Sequence, residues 1–427
     1  MQERARSVHF RISGVSVMRS TRNEKAKYSV IPAIILAAAG LGATTSVLAE
    51  EPIRIGAPLP LTGPFASDGI LMKQAIDLAV GQINEEGGLL GRDVVVSEYD
   101  IGDLTPDKLR SAANRLLDDR DVDVLIQGYG AMGPDIPAFC PYDQPYIHNA
   151  GTPNVVDMMV NMGCDNIFMT VDVAYRYGEM TFEQLGKSGL DFADKRIALL
   201  HGPWDWELDK IAGVESAAKS LGWTVVRKEE VNYGTSEWGG IINRINRENP
   251  DFIYLSLLDP DAVWRFLSQL NDNPPANARV SVGYTMSMPA FADFARSGDV
   301  DGLLGMTLHA QDSSSEIGRE FEQSWQQAYA ESPGLSTASQ VYDHVMLWAD
   351  AVAQVGDARD FEAIYGALRN TDYEGVNGRF RFNESQYVDS SNETIPSLLL
   401  EIQDAKVTPL MRGDTPVQSP TNRMWGR

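Results

Sequence analysis

Residues 53–66 have the sequence IRIGAPLPLTGPFA, a short apolar run that leads into a loop rich in proline and glycine. From Asp68 to Asn84, apolar residues recur at helical spacing, and Gly87 and Gly88 end this second pattern. The run Ile53–Pro58 is typical of a buried strand. The segment as a whole therefore predicts a strand, a loop and a helix, the unit from which open α/β sheets are built.

The same unit repeats along most of the chain. Further apolar runs predict strands over residues 94–99, 122–126, 145–148, 196–200, 223–227, 252–256 and 280–283. Amphipathic segments lie between them, residues 315–368 are mostly helical in pattern, and β-like segments return at 375–382 and 398–407. Repeated strand–helix units with buried strands predict an α/β fold, with parallel sheets covered by helices on both faces.

Length and composition limit the class of protein. A chain of 427 residues exceeds the size at which one hydrophobic core keeps growing, so two domains are expected. Apolar residues make up 43% and charged residues 22%, which is ordinary for a globular protein. The formal net charge of −23 argues against nucleic acid and anionic membrane surfaces as partners.

The N-terminal region has the pattern of an export signal. Basic residues concentrate within 19–27, a short apolar run follows, and small or apolar residues precede a predicted cleavage between Ala49 and Glu50. We expect residues 1–49 to be an over-extended start plus a signal peptide, with Met18 as the true start. Proline and glycine interrupt the apolar run, which disfavours a membrane anchor, and no cysteine stands at the cleavage point for a lipid anchor. A periplasmic location is expected.

Only two cysteines occur, Cys140 and Cys164, separated by 24 positions. In an oxidising compartment they are candidates for a disulfide, and two separate buried thiols are the alternative. Cysteine-containing metal sites need more ligands at closer spacing, so no metal is predicted.

Four further segments stand out beside the one at 53–66. They are INEEGGLLGR at 83–92, NPDFIY at 249–254, VYDHV at 341–345 and GVNGRFRF at 375–382. Together the five segments resemble the leucine/isoleucine/valine-binding type of periplasmic binding proteins, and they keep the order and spacing of that family across residues 52–405.

The resemblance implies a type I periplasmic binding protein fold, in which two Rossmann-like lobes are joined by a three-crossing hinge and close on a solute. Lobe 1 would hold residues 50–171 and 307–385, and lobe 2 residues 172–306 and 386–427. It implies a monomeric solute-binding component of an ABC importer, which delivers a small molecule to an inner-membrane permease without any cofactor. A ligand-sensing protein that acts on a signalling partner is the alternative.

The ligand site is expected in the loops that follow the strands, because ligands of open α/β sheets sit beyond the carboxyl ends of the strands. By the resemblance, Thr152 matches a threonine that binds the ligand carboxylate, and Trp206 matches an aromatic clamp. Met132 stands where a serine is usual and Thr285 where an acidic ammonium partner is usual. The candidate ligand-binding residues are Tyr129, Ala131, Met132, Asn149, Gly151, Thr152, Tyr175, Trp204, Trp206, Asp259, Tyr284 and Thr285.

These departures bear on the ligand. Asp259 and Asp68 are the candidate replacements for the ammonium partner, and Asp68 also stands where the first loop often has an aromatic residue. The aromatic residues predict a broad, soft pocket for a small organic carboxylate, an amide or an amino-acid-like solute. A branched-chain amino acid is the alternative ligand. Structural roles are the competing interpretation of several residues, with Thr152 as a helix cap, His148 and His201 as hydrogen-bonded scaffold, and Tyr342-Asp343 as a tie between the late helix and a lobe.

Enzyme classes are disfavoured. Residues 128–133 spell the GxGxxG pattern of dinucleotide sites, but Pro134 follows at once. The next strand ends in His148 and Asn149, where an acidic ribose partner is expected. Neither a GxSxG nor an HExxH motif occurs, so we expect a binding protein and no catalysis.

Overall fold

The computed structural model describes residues 51–63, 65–128, 133–288, 291, 294, 296 and 300–421. The predicted signal peptide and the candidate residues Tyr129, Ala131 and Met132 lie outside these described residues. Contacts divide the chain after Glu51, and the unit that begins at Pro52 contains every element described below.

The first sheet has five parallel strands in the order β2-β1-β3-β4-β5. Its strands are β1 (Ile53–Leu59), β2 (Val94–Asp100), β3 (Val124–Ile126), β4 (Tyr146–His148) and β5 (Ile167–Met169). Between them run α1 (Ala66–Glu85), α2 (Pro106–Ala113) with a π-helical continuation to Asp119, α3 (Asp135–Phe139) and α4 (Pro153–Met162). The central strand β1 needs glycine at Gly56, because a Cβ there would lie 2.7 Å from the Leu125 side chain on β3.

The second sheet has eight strands in the order β15-β14-β13-β10-β9-β8-β6-β7. Its strands are β6 (Arg196–His201), β7 (Thr224–Glu230), β8 (Phe252–Ser256), β9 (Arg279–Ser281), β10 (Leu304–Thr307), β13 (Leu398–Gln403), β14 (Lys406–Arg412) and β15 (Thr415–Pro416). Strands β6 to β10 are parallel and are covered by α5 (Ala174–Lys187), α6 (Asp205–Ser220), α7 (Gly239–Glu248) and α8 (Pro260–Asp272).

The tail departs from the purely parallel prediction. Strands β13, β14 and β15 pair antiparallel, and β13 also pairs antiparallel with β10. Only Asp404 and Ala405 separate β13 from β14, both with positive φ, at 52° and 59°. A two-residue turn with both central residues at positive φ joins strands that run in opposite directions, so this connection excludes a parallel pair.

The late helices return to the first sheet. They are α9 (Glu316–Tyr329), α10 (Thr337–Val355) and α11 (Phe361–Arg369), followed by the small hairpin of β11 (Tyr373–Glu374) and β12 (Arg379–Phe380). Their buried side chains, including Trp325 and Trp348, share one hydrophobic core with β1 and α1. The tail strand β13 instead packs in a core with β8 and α8. The chain thus passes between the two cores three times, and the exact lobe boundaries stay a prediction.

Both cysteines of the chain are joined to each other. A disulfide links Cys140, directly after α3, to Cys164, just beyond α4, with 5.2 Å between their Cα atoms. Of the two alternatives left open by the sequence, the structure has the disulfide. It closes a loop that contains β4 and the whole of α4, and three residues of this loop, Asn149, Ala150 and Gly151, line the cavity described below.

Candidate functional site

A cavity of about 50 Å³ lies at the carboxyl ends of the strands of both sheets. It is bounded by loops or helix starts that follow β1, β4, β6, β8, β9 and β10. The lining residues are Phe65, Asp68, Asn149, Ala150, Gly151, Trp206, Leu258, Tyr284, Met288 and Leu308. Such a position is where open α/β sheets bind their ligands.

Trp206 forms part of the wall that comes from the second sheet. Its side chain is only 6% exposed, and its ring centroid lies 5.7 Å from that of Tyr284, at an interplanar angle of 66°. Tyr284 is held in turn by a 3.2 Å hydrogen bond between its hydroxyl group and the Ser336 hydroxyl group. Two aromatic rings in edge-to-face contact make a rigid apolar surface.

A buried carboxylate fixes the start of the helix that carries Trp206. Glu207 is fully buried, and its carboxylate accepts hydrogen bonds from the backbone N–H of Trp204 at 3.1 Å and of Leu258 at 2.7 Å. The Tyr233 hydroxyl group donates a third at 2.6 Å. Glu207 therefore ties the first turn of α6 to the loop after β8, so that Trp206 and Leu258 face the same cavity. Negative charge in the first turn of a helix also suits the helix dipole.

The loop after β4 forms the opposite wall. The Ala150 N–H donates to Nδ1 of His148 at 3.1 Å, and the Asn149 N–H donates to the Gly128 carbonyl at 2.7 Å. Gly151 must be glycine, because a Cβ there would lie 2.3 Å from the Asp172 carbonyl oxygen. The Asn149 side-chain oxygen is buried, and no described residue donates a hydrogen bond to it. This carboxamide is a polar group in a mostly apolar site, where a ligand N–H could donate a hydrogen bond to the Asn149 oxygen.

Burial keeps His148 in the neutral form that this loop needs. Desolvation lowers the pKa of the His148 ring to about 4, although nearby Asp135 favours the charged form. The ring is stacked on Tyr146 with 4.7 Å between centroids. Because Nδ1 accepts from the Ala150 N–H, His148 is hydrogen-bonded scaffold beneath the cavity. His201 likewise contacts the Gly202 carbonyl through Nδ1 at 2.8 Å.

The structure separates the two acidic candidates for the ammonium partner. Asp68, in the first turn of α1, is 4% exposed and lines the cavity. Asp259 is the N-cap of α8, where its carboxylate accepts from the Ala262 N–H at 3.0 Å and from the Gly234 N–H at 2.6 Å. Both Asp259 carboxylate oxygens therefore accept hydrogen bonds from backbone groups, and Asp259 is not among the residues that line the cavity.

Several other predicted residues also lie away from the cavity lining. The Thr152 hydroxyl group accepts from the Val155 N–H at 3.2 Å and caps α4, and the buried Thr285 hydroxyl group donates to the Leu257 carbonyl. Tyr175 is half-buried on α5, where its backbone packs against α6. Trp204 does not line the cavity either, but its ring lies 5.8 Å from that of Phe65, which does. The predicted residues that the structure brings together are Asn149, Gly151, Trp206 and Tyr284, with the acidic candidate Asp68.

The sequence argument missed Phe65, Ala150, Leu258, Met288 and Leu308. Phe65 supplies the aromatic ring of the first loop that was sought at position 68, so an offset of three residues hid it. Ala150 lies between two predicted residues, and Leu258 follows β8 directly, so the rule of looking after strand ends identifies both positions. Leu308 follows β10, a strand that the sequence pattern did not reveal.

Comparison with known proteins places the chain in a family. A family model described as "Periplasmic binding protein" matches residues 52–389. The chain belongs to the periplasmic binding protein family. The match confirms the resemblance seen in the five sequence segments. A periplasmic binding protein is a solute-binding protein, so the cavity between the two sheets is its candidate solute site.

Named relatives and solved structures agree with this assignment. This periplasmic binding protein is 25% identical over 324 residues to the Leu/Ile/Val-binding protein BraC3 of Rhizobium johnstonii, an alignment that covers 76% of this chain and 85% of that protein. It is 24% identical over 383 residues to the Leu/Ile/Val-binding protein homolog 7 of Brucella abortus, covering 84% and 91%.

Two solved structures show the fold. A putative branched-chain amino acid ABC transporter protein from Silicibacter pomeroyi superposes with a TM-score of 0.78 at 22% identity, over 87% of this chain and 99% of that chain. A solute-binding protein of an ABC transporter from R. palustris, in complex with benzoate, superposes with a TM-score of 0.71 at 19% identity, over 88% and 99%. They confirm the type I periplasmic binding protein fold.

Proposed function

We propose that this periplasmic binding protein captures a small organic solute in the cavity between its sheets and delivers it to the membrane permease of an ABC importer. The observation that carries the proposal is the cavity itself. It lies beyond the strand ends and takes Asp68 and Asn149 from one side and Trp206 and Tyr284 from the other. A ligand that contacts both sides favours the closed state of a hinged protein, because its affinity for that state is higher. The protein acts as a monomer and needs no cofactor.

The lining favours a solute that has both an apolar part and an N–H donor. The buried Asn149 side-chain oxygen accepts no hydrogen bond from a described residue, so an ammonium or amide N–H of the solute would donate to it. The Asp68 carboxylate lines the same cavity, whose other walls are mostly apolar. A bare carboxylate would instead approach the Asp68 carboxylate at the cost of charge repulsion. We therefore infer an amino-acid-like or amide solute, in line with the Leu/Ile/Val-binding names of the relatives.

The size of the cavity departs from the broad pocket that the sequence predicted. About 50 Å³ is far below the roughly 300–1,000 Å³ of ordinary small-molecule pockets. The contact of the Trp204 ring with Phe65 and the hydrogen bond between the Tyr284 and Ser336 hydroxyl groups join the two sides of the cavity. We infer that the solute enters by a hinge opening that separates these two pairs, and that the three crossings between the cores form the hinge.

A thermal-shift screen tests the proposal. Protein comprising residues 50–427 is unfolded to strip bound solute, refolded and heated with L-leucine, L-isoleucine, L-valine, leucinamide, benzoate or 4-hydroxybenzoate. A solute at ~1,000 times its Kd adds about 4 kcal/mol of stability, a shift of several degrees. We expect the amino acids or the amide to raise the Tm and the benzoates to have little effect. A response to the benzoates alone contradicts the solute class, and transport unaffected by deleting the gene contradicts the importer role.

We also infer that the protein is exported through a cleaved signal peptide. The basic stretch at 19–27, the apolar run after it and the small residues up to Ala49 support this. Among the helices that the structure describes, none is long and apolar enough to cross a membrane. We expect the mass of the protein from the periplasmic fraction to correspond to a chain that begins at Glu50. An uncleaved chain in the cytosolic fraction contradicts the inference.

A further inference from the structure

Lys210 lies buried directly behind the wall that Trp206 forms. It follows Trp206 by one helical turn on α6, and its side chain has no exposed surface. Its Nζ lies 4.7 Å from the centroid of the Trp206 ring and 5.7 Å from that of Tyr254. No residue in the described part of the chain accepts a hydrogen bond from this Nζ. A buried amine without an acceptor is costly, so the two aromatic faces are its main favourable contacts.

The surroundings of Lys210 hold few charges. On its own helix, Glu207 is the charged group whose field reaches the amine, and the Glu207 oxygens already accept three hydrogen bonds. From β8, Tyr254 presents a phenol, and burial raises its pKa above the ordinary range, so the phenol stays neutral. The loop after β9 closes over the amine, since a Cβ on Gly283 would lie 3.2 Å from Nζ. From α5, Gly178 packs against the backbone of Lys210 and Val214.

Lys210 therefore changes charge in the neutral range. Burial lowers the pKa of its amine to about 7, and the Glu207 carboxylate opposes this shift. Below pH 7 the amine is an ammonium and attracts the electron-rich face of the indole. As the pH rises through 7 the ammonium is lost, and with it this attraction.

We propose that Lys210 is a positioning residue of the solute site, whose amine holds the Trp206 indole in place as part of the cavity wall and makes that hold depend on pH. The predicted effect on solute affinity rests on the proposed function. The contact between the Lys210 amine and the Trp206 ring does not rest on it, so an experiment can contradict one of the two and leave the other standing. The attraction between the Lys210 amine and the Trp206 ring is strongest below pH 7 and weaker above it.

The ring contact is tested in solute-free protein by tryptophan fluorescence. The emission of Trp206 is obtained as the difference between wild type and Trp206→Phe, from pH 5.5 to 9, and the same difference is measured for each Lys210 variant. We expect a transition with a midpoint near pH 7 in wild type. Lys210→Met should abolish it, and Lys210→Arg, which stays charged, should keep the low-pH spectrum throughout. Lys219→Met, an exposed change on the same helix, is the matched control and should leave the transition intact.

Two outcomes overturn the contact. One is a Trp206 emission that does not change with pH, and the other is a transition that persists in Lys210→Met. If Lys210→Met does not fold, Lys210→Arg still tests the contact between the amine and the ring.

The effect on the site is measured with L-leucine and leucinamide as probes, by calorimetry at pH 6 and pH 8.5. We expect the wild type to bind the responding probe about tenfold more weakly at pH 8.5. Lys210→Met should show the weaker affinity at both pH values, and Lys210→Arg the stronger affinity at both. Equal wild-type affinity at the two pH values, with the fluorescence transition present, overturns the link between Lys210 and the site. If neither probe binds, the solute class is wrong, and the fluorescence result alone decides the positioning role.

Discussion

Replacing Trp206 with alanine is expected to weaken solute binding roughly 100-fold, or by about 3 kcal/mol. The side chain is 6% exposed, lines the cavity and packs edge to face on Tyr284. Residues that contribute most to binding are enriched in tryptophan, tyrosine and arginine and lie in well-packed, desolvated sites. Its removal would also leave Tyr284 without its neighbour and enlarge a cavity of only about 50 Å³, so the remaining walls would no longer enclose the solute.

The comparison of three variants separates binding from folding. Affinity for the solute that responds in the thermal screen is measured by calorimetry, beside urea unfolding of the solute-free proteins. Trp206→Phe keeps an aromatic wall and should lose about tenfold or less. Trp264→Ala removes a tryptophan that is 39% exposed on α8, outside the cavity lining, and should bind as wild type does. If Trp206→Ala binds the solute within twofold of the wild-type affinity, the Trp206 ring only packs against its neighbours and does not contribute to solute binding.

The sequence predicted the second-sheet wall of this site better than its polar groups. Trp206 lines the cavity, where its place in the resemblance and its position after a strand both predicted it. Thr152 and Asp259 instead cap helices outside the cavity lining. A hydroxyl or carboxylate at the start of a helix has two uses, ligand binding and capping, and both produce the same sequence pattern. The choice depends on whether the side chain turns to its own backbone, which only the three-dimensional structure shows.

The fold shows the same division between local and distant information. The parallel strand–helix units were predictable because each repeats a local period of two or 3.6 residues. The late helices α9 to α11 pack in the core of the first sheet through contacts between residues more than 200 positions apart. One of these contacts is the hydrogen bond from the Tyr342 hydroxyl group to Gln82. The antiparallel tail depends on the conformation of two residues, Asp404 and Ala405, that no hydrophobic pattern encodes.

Replacing Asp343 with alanine is expected to lower the free energy of unfolding by about 4 kcal/mol, without any contact with the solute site. Asp343 is fully buried on α10, and its carboxylate accepts from the Val376 N–H at 2.8 Å, the Asn377 N–H at 3.0 Å and the Asn377 side-chain amide at 2.7 Å. Alanine leaves three buried donors without an acceptor, and each unpaired donor costs about 1–3 kcal/mol before the structure relaxes. The carboxylate ties α10 to the segment before β12, which is the role that the sequence assigned to Tyr342-Asp343.

Urea unfolding and the Tm measure this effect, and we expect the Tm to fall by about 5 °C. Asp350→Ala is the matched control, because Asp350 is half-buried on the same helix and its carboxylate accepts a local hydrogen bond from Gln354 at 2.7 Å, so it should cost less than about 1 kcal/mol. Asp343→Asn keeps an oxygen for the Val376 N–H but turns an amide toward the Asn377 donors, so its stability should lie between wild type and the alanine variant. Equal stability of Asp343→Ala and Asp350→Ala would contradict the tie. A stability that falls from wild type to Asp343→Asn and further to Asp343→Ala would show that the number of satisfied donors sets the stability of this segment. The volume of the side chain would not explain the first step, since asparagine and aspartate are nearly equal in size.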